Sequence, residues 1–129
     1  MIGVPVLATI ATSTPVTDQA KIACVALAVE MREARLTTNF RNYSNNISSA
    51  YATRTTALAR AYTATTSPVG IKANIKTTWT NFKATSRTAS KNWKTERNAA
   101  WAAYRTATKV CKAPNGVSDS HYSTFEPTL

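Results

Sequence analysis

Apolar residues recur every eleven positions along most of the chain. The rows are Val25, Leu36, Ile47 and Leu58; Val29, Phe40, Tyr51 and Tyr62; and, in the second half, Ile71, Phe82, Trp93 and Tyr104. Eleven residues make three turns at about 3.67 residues per turn, so each row runs nearly straight along a helix. The pattern predicts long helices and an all-α fold.

Helix-breaking residues divide this pattern into two helices of one domain. The first is predicted over about 18–65, with Asp18 as its N-cap, and the second over about 69–112. Between them, at 66–70, Pro68 cannot continue a helix and disfavours helical backbone at the residue before it. The sequence therefore predicts an antiparallel, coiled-coil-like two-helix hairpin over residues 18–112, with non-helical arms at 1–17 and 113–129.

Two cysteines lie at nearly equal distances from this turn. Cys24 is 43 residues before Ser67, and Cys111 is 44 residues after it. A hairpin folded at the turn brings the two side chains level at its open end, which predicts a disulfide that locks the hairpin. Two buried free thiols that act as small apolar residues are the alternative. A disulfide would indicate an oxidising compartment.

The cysteine pair also predicts a register for the two helices. If the cysteines face each other, residues opposite one another across the hairpin have numbers that sum to about 135. Tyr51 then lies opposite Ala84, and Phe82 lies opposite Thr53, so large side chains meet small ones. Turn, cysteines and packing agree on this arrangement.

The second helix has an apolar face wider than one partner helix covers. Trp79 and Trp101 are twenty-two residues apart, and both lie about 80° from the main apolar row at 100° per residue. We expect both to stay partly exposed and to form a self-assembly surface. The alternative is that the terminal segments fold back over them.

Basic residues exceed acidic ones by a wide margin. The chain has 16 Lys and Arg against 6 Asp and Glu, a formal charge of +10, which attracts polyanions such as nucleic acid or an anionic envelope polymer. A basic stripe on the second helix repeats every eleven residues and consists of Lys72, Lys83, Lys94 and Arg105. It is either a polyanion-binding face or a solvated face whose period is inherited from the core.

Residue types that support catalysis are sparse. His121 is the only histidine and lies in a tail rich in Ser and Thr, while the six acidic residues show no spacing that would gather two carboxylates in a cleft. Three glycines form no phosphate-binding loop, and Cys24 and Cys111 have no nearby histidine to complete a metal site. We expect no enzyme activity, no cofactor, no metal and no small-molecule substrate.

The termini point to export. Residues 1–8 have the shape of the end of a signal peptide, although no Lys or Arg precedes them, so they are either a signal-peptide remnant or the start of an apolar strand. No apolar run approaches the roughly 18 residues of a membrane span. A secreted or cell-surface location is predicted, with terminal arms that either dock on a neighbouring subunit or are leftovers of processing.

The stretch Lys21-Ile-Ala-Cys-Val-Ala-Leu-Ala-Val-Glu-Met-Arg-Glu33 is followed by aromatic blocks at 78–83 and 100–105 and by Val110-Cys111-Lys112. This combination resembles small exported helical proteins of ultrasmall candidate-phylum bacteria, which open with Ile-Ala-Cys and Arg-Glu and carry a late cysteine. The resemblance implies export, the cysteine pair and the hairpin. It implies no catalytic residue and no function.

These observations lead to two functional hypotheses. The first is a structural subunit of a secreted filament or envelope layer that assembles with itself through the aromatic residues of the second helix and the terminal arms. The second is a module that binds DNA or an anionic envelope polymer through the basic stripe.

Overall fold

The computed structural model describes residues 13–129, with side chains described from residue 18 onward. Within this range the chain forms two long helices, α1 (Ser13–Ala61) and α2 (Pro68–Cys111), followed by a 3-10 helix (Ser120–Phe125). The described residues contain no strand. The two long helices pack against each other as a hairpin, so the predicted all-α fold is confirmed.

The helix α1 begins earlier than predicted. Its first residue is Ser13, so Asp18 lies inside the helix and its prediction as N-cap is wrong. Pro15 falls in the first turn, where its missing N–H removes no intrahelical hydrogen bond. The prediction of a non-helical arm is therefore wrong for 13–17, and its remainder, 1–12, lies outside the described residues.

The turn between the helices is also earlier than expected. The helix α1 ends at Ala61 rather than Thr65, and the N–H of Ala64 then donates to the carbonyl of Arg60 at 2.9 Å. Three of the four residues 63–66 are Thr, whose β-branched side chain gives little support to a final helical turn.

The start of α2 depends on Ser67 and Pro68. The Ser67 hydroxyl accepts a hydrogen bond from the N–H of Gly70 at 3.3 Å, as the side chain of an N-cap residue does. Pro68 is the first residue of α2, a position that suits its fixed φ and its missing N–H. Pro68, which was predicted to interrupt the helices, therefore begins α2, and the turn covers 62–67 instead of 66–70.

The described chain consists of two compact units. Unit 1 comprises Met1–Arg35, described from residue 13, and Asn98–Pro127. A disulfide joins Cys24 to Cys111 with their Cα atoms 5.6 Å apart. The predicted bond is thus confirmed, and the alternative of two free thiols is excluded. The buried apolar residues of unit 1 are Val25, Ala28, Ala100, Trp101, Tyr104 and Cys111.

Unit 2 comprises Leu36–Arg97 and Thr128–Leu129. Small side chains make up most of its core, which contains Leu36, Ala50, Ala61, Ala89 and Trp93. Both helices contribute alanines, so the side chains buried in unit 2 are mostly small.

The aromatic contacts of unit 2 differ from the predicted register. Phe40 packs edge-to-face on Trp93, with ring centroids 5.6 Å apart, and Tyr51 packs on Phe82 at 5.1 Å. Both pairs have numbers that sum to 133 rather than 135, so large rings meet large rings, and the predicted large-to-small matching is wrong here. Edge-to-face contact between rings is itself favourable.

No helix within residues 13–129 combines the length and the apolar character that crossing a membrane requires.

Replacing both Cys24 and Cys111 with Ser should destabilise the hairpin. The bond links residues 87 positions apart, and closing a loop of that size contributes roughly 4 kcal/mol in the chain-entropy model. Urea unfolding followed by circular dichroism should show a correspondingly lower free energy of unfolding. Mass spectrometry of an unreduced digest of the wild type is the control, and an unchanged unfolding midpoint would contradict the prediction.

Candidate functional site

A contact between arginine and tryptophan occurs once in each unit. Arg32 and Arg54 are twenty-two residues apart in α1, and Trp101 and Trp79 are twenty-two residues apart in α2. The Cζ atom of Arg32 lies 4.2 Å from the Trp101 ring centroid in unit 1. The Cζ atom of Arg54 lies 4.5 Å from the Trp79 ring centroid in unit 2. The same stack thus recurs after two eleven-residue repeats.

The Arg32 cluster consists of Arg32, Trp101, Tyr104, Glu33 and Asp119. Arg32 is only 5% exposed, and its guanidinium lies over both rings, 4.4 Å from that of Tyr104. Its Nη1 and Nη2 donate to the two carboxylate oxygens of Asp119 at 2.6 and 3.0 Å, and its Nε donates to Glu33 at 3.0 Å. The guanidinium thus lies against two rings and donates to two carboxylates, contacts that arginine favours.

This arrangement shifts the pKa values of both partners. The hydrogen bonds from Arg32 hold the pKa of the Asp119 carboxyl below its usual value, against the opposing effect of partial burial. Burial disfavours the charged form of Arg32, but the hydrogen bonds from its guanidinium to Asp119 and Glu33 outweigh it and raise the pKa. Each charge therefore stabilises the other.

The C-terminal segment is anchored to unit 1 at this cluster. The backbone N–H of Asp119 donates to the Tyr104 hydroxyl at 3.3 Å, and that hydroxyl lies 3.4 Å from the Ser118 Oγ. The segment then forms the 3-10 helix at Ser120–Phe125, in which His121 is exposed. The tail predicted to be non-helical thus contains one short helical segment.

Trp101 is buried by these contacts. It is 5% exposed, so the expectation that it stays on the surface is wrong. The C-terminal segment does fold back to this cluster, but the group that lies over the indole is the Arg32 guanidinium, which Asp119 binds. The sequence contained a usable signal: Arg32 occupies a core position of the repeat, and a buried guanidinium requires a carboxylate.

The Arg54 cluster consists of Arg54, Tyr51, Trp79 and Phe82. The Cζ atom of Arg54 lies between 4.4 and 4.5 Å from the three ring centroids. No described residue offers Arg54 a carboxylate. The residue after it is Thr55, whose hydroxyl donates to the carbonyl of Tyr51 at 2.9 Å, whereas the residue after Arg32 is an ion-pairing glutamate.

Unit 2 exposes a set of aromatic side chains that we term the aromatic row. Its members are Phe40, Tyr51, Tyr62 and Trp79. Trp79 is 47% exposed and Tyr62 is 61% exposed. The predicted exposure of Trp79 is therefore correct. Phe40 and Tyr51 of α1, and Tyr62 just after its end, are also exposed, although the sequence pattern had assigned them to the core.

The basic stripe is exposed throughout. Lys72, Lys83 and Lys94 lie on unit 2, and Arg105 lies on unit 1. None of the four takes part in an ion pair with another described residue.

A groove of about 500 Å³ lies on unit 2. Alanines, asparagines, serines and threonines line most of it, Phe82 adds one ring, and Arg54 is the one charged residue among the lining side chains. No carboxylate or histidine lines this groove. In the part of the chain that the structure describes, His, Cys, Asp and Glu form no group of three that could hold a metal ion.

Comparison of the chain with protein-family models, with curated proteins and with solved structures finds no match. Function is therefore inferred from the surfaces of the two units. The distinctive ones are the aromatic row, the basic stripe and the two arginine clusters.

Changing Asp119 to Asn should loosen the C-terminal segment. The substitution keeps the shape of the side chain but removes the charge that pairs with Arg32. We expect a loss of about 1–2 kcal/mol in the free energy of unfolding, less than for a fully buried pair because the Asp119 side chain is 38% exposed. Acrylamide should also quench a larger fraction of the tryptophan emission as Trp101 becomes accessible. Glu30→Gln, which removes an exposed carboxylate without a described ion pair, is the control.

The same contact has a defined pH dependence. Because the folded-state pKa of Asp119 is lowered, its contribution to stability is complete above the unfolded-state value of about 4 and is lost as the pH falls through the folded-state value. The stability difference between wild type and Asp119→Asn should stay constant from pH 7 to about pH 5 and shrink below it. A difference that does not change between pH 7 and pH 2 would contradict this role of Asp119.

Proposed function

We propose that this protein is an exported structural subunit that assembles with copies of itself into a filament or layer through the aromatic row of unit 2. One observation carries the proposal. Four large aromatic side chains on unit 2 stay half-exposed, while Trp101, the unit 1 equivalent of Trp79, is covered. Several exposed aromatic side chains on one unit are typical of protein contact sites.

The spacing of the row suits contact with another long helix. Phe40 and Tyr51 are eleven residues apart in α1, about 16.5 Å along the helix at 1.5 Å per residue, and Tyr62 follows after another eleven residues, just beyond the helix end. A partner helix with a similar repeat could insert side chains between them. Burying the exposed parts of these rings would contribute about 25 cal/mol per Å² of apolar area removed from water.

Export is supported by the disulfide. A bond between Cys24 and Cys111 persists in oxidising surroundings such as the cell exterior. A contribution of the arm at 1–12 to assembly stays a prediction, because that segment lies outside the described residues.

Replacing Tyr62 and Trp79 together with Ala should abolish high-mass assemblies while leaving the monomer helical. Both side chains are large and exposed, so their removal takes away contact area without opening a cavity in the core. Analytical ultracentrifugation and negative-stain microscopy report assembly, and circular dichroism reports helicity. The matched control is Leu27→Ala with Met31→Ala, which removes exposed apolar side chains from unit 1. Wild-type protein that stays monomeric at millimolar concentration would contradict the proposal.

Binding of a polyanion, DNA or an anionic envelope polymer, is the second candidate. It is favoured by the exposure of Lys72, Lys83 and Lys94 along α2 and by the absence of ion pairs to them among the described residues. Their charge is thus available to phosphate or carboxylate groups of a ligand.

Replacing Lys72, Lys83 and Lys94 with Gln should flatten the salt dependence of DNA binding. Each phosphate contact contributes about −0.9 to the slope of log affinity against log salt for duplex DNA. The slope should therefore become shallower by the contribution of up to about three contacts. Fluorescence anisotropy with a labelled duplex measures it. The matched control is a second triple variant with the same charge change at other exposed positions of unit 2, namely Lys76→Gln, Arg87→Gln and Lys91→Gln. Equal slopes for the two triple variants would identify the stripe as a solvated face.

A further inference from the structure

The two arginine clusters share their stacking but differ in their acidic partners. Arg32 donates three hydrogen bonds to two carboxylates, those of Glu33 and Asp119. Arg54 stacks against three rings and has no carboxylate partner among the described residues. The Arg54 cluster therefore matches the Arg32 cluster without its acidic component.

The geometry of Arg54 leaves its hydrogen-bonding groups available. Arg54 is partly exposed and forms no ion pair with another described residue, so the N–H donors of its guanidinium have no acidic partner in the described part of the chain. The three rings beside it lower the local polarity, so an ion pair formed here is stronger than one in open solvent. Tyr51 and Trp79 are each about half-exposed, which leaves space for an incoming group.

We propose that the Arg54 cluster is a docking site for a carboxylate, and that Glu126 of a second copy of the chain supplies it. This inference rests on the proposed self-assembly, because it names the partner of the aromatic row. The precedent is internal: in unit 1 the carboxylate bound to Arg32 also comes from the C-terminal segment, through Asp119.

A comparison of the two clusters favours Glu126 over the other acidic residues. Phe82 takes the place that Tyr104 has in unit 1, so the Arg54 cluster has no hydroxyl at that position to bind the backbone of an incoming segment. Such a segment needs an apolar contact instead. Glu126 follows Phe125, which is 78% exposed, and together they provide a carboxylate and a ring.

The remaining carboxylates fit less well. Glu33 and Asp119 already bind Arg32. The other three, Asp18, Glu30 and Glu96, lie within the long helices, and none follows an exposed aromatic residue. Glu126 lies in extended backbone just after the 3-10 helix, with φ −66° and ψ 143°, and it forms no ion pair with any other described residue.

The proposed contact joins different patches on the two copies. The C-terminal segment of one copy would bind unit 2 of the next, so a pair of copies would still have the Arg54 cluster of the first and Glu126 of the second available for further contacts. A heterologous contact of this type propagates into a filament unless its rotation closes a ring.

Charge reversal tests the pairing directly. Each of two single variants, Arg54→Glu and Glu126→Arg, should raise the protein concentration required for assembly at least tenfold, as measured by analytical ultracentrifugation. Mixing the two variants should restore assembly, because the carboxylate introduced in one copy can then meet the guanidinium introduced in the other. Arg60→Glu, at an exposed position of α1, is the matched control and should assemble like the wild type. Loss of assembly in Arg54→Glu without loss in Glu126→Arg would overturn the assignment of Glu126.

A peptide titration separates this inference from the proposed function. A labelled peptide of residues 120–127 should bind dilute monomeric protein, with at least tenfold weaker affinity for Arg54→Glu and for the peptide that carries Glu126→Gln. If the wild-type chain binds the peptide but never assembles, the docking site is supported and the proposed filament is contradicted. Wild-type assembly together with no peptide binding, or with equal binding by Arg54→Glu, would overturn the docking site alone.

Discussion

A hairpin of two helices has a single internal face, and this constraint explains most of the structure. Each helix contacts its partner through a narrow row of side chains. In unit 2 most of the buried apolar side chains are alanines. Rings that lie beside these side chains are covered on one side only. Arginine can cover the other side, because its guanidinium stacks on aromatic faces and keeps its polar edge in contact with water or an acid. The stacks of Arg32 and Arg54 are two instances of this solution.

The two units then differ in how the charge of that arginine is compensated. In unit 1 the guanidinium is almost fully buried and lies between two rings and two carboxylates. The ion pair with Asp119 also fixes the direction in which the chain returns after α2. In unit 2 the rings and the guanidinium stay closer to solvent, and the charge needs no internal partner. One repeat thus supports both a closed cluster that stabilises the chain and an open one that can bind another group.

The eleven-residue rows, the turn residues and the cysteine positions were sufficient to predict the hairpin and its disulfide, because each depends on local spacing along the chain. The helix ends were less predictable: Pro68 was expected to break the structure and instead begins α2. The register was predicted to within two residues, but the large-to-small matching was wrong at Phe40 and Trp93, where two rings meet. The burial of Trp101 could not be derived from periodicity, because it depends on a contact between Arg32 and Asp119, 87 residues apart.

One difference between the aromatic residues beside the two arginines is a single oxygen atom. Tyr104 carries a hydroxyl that receives the backbone N–H of Asp119, and the matching position in the repeat, Phe82, does not. A segment such as Ser118–Asp119 therefore has its complete set of partners at one place on the chain and an incomplete set at the other. The hydroxyl is thus a specificity element: it gives the backbone at Asp119 a hydrogen-bond partner beside Arg32, and the phenylalanine at position 82 beside Arg54 offers none.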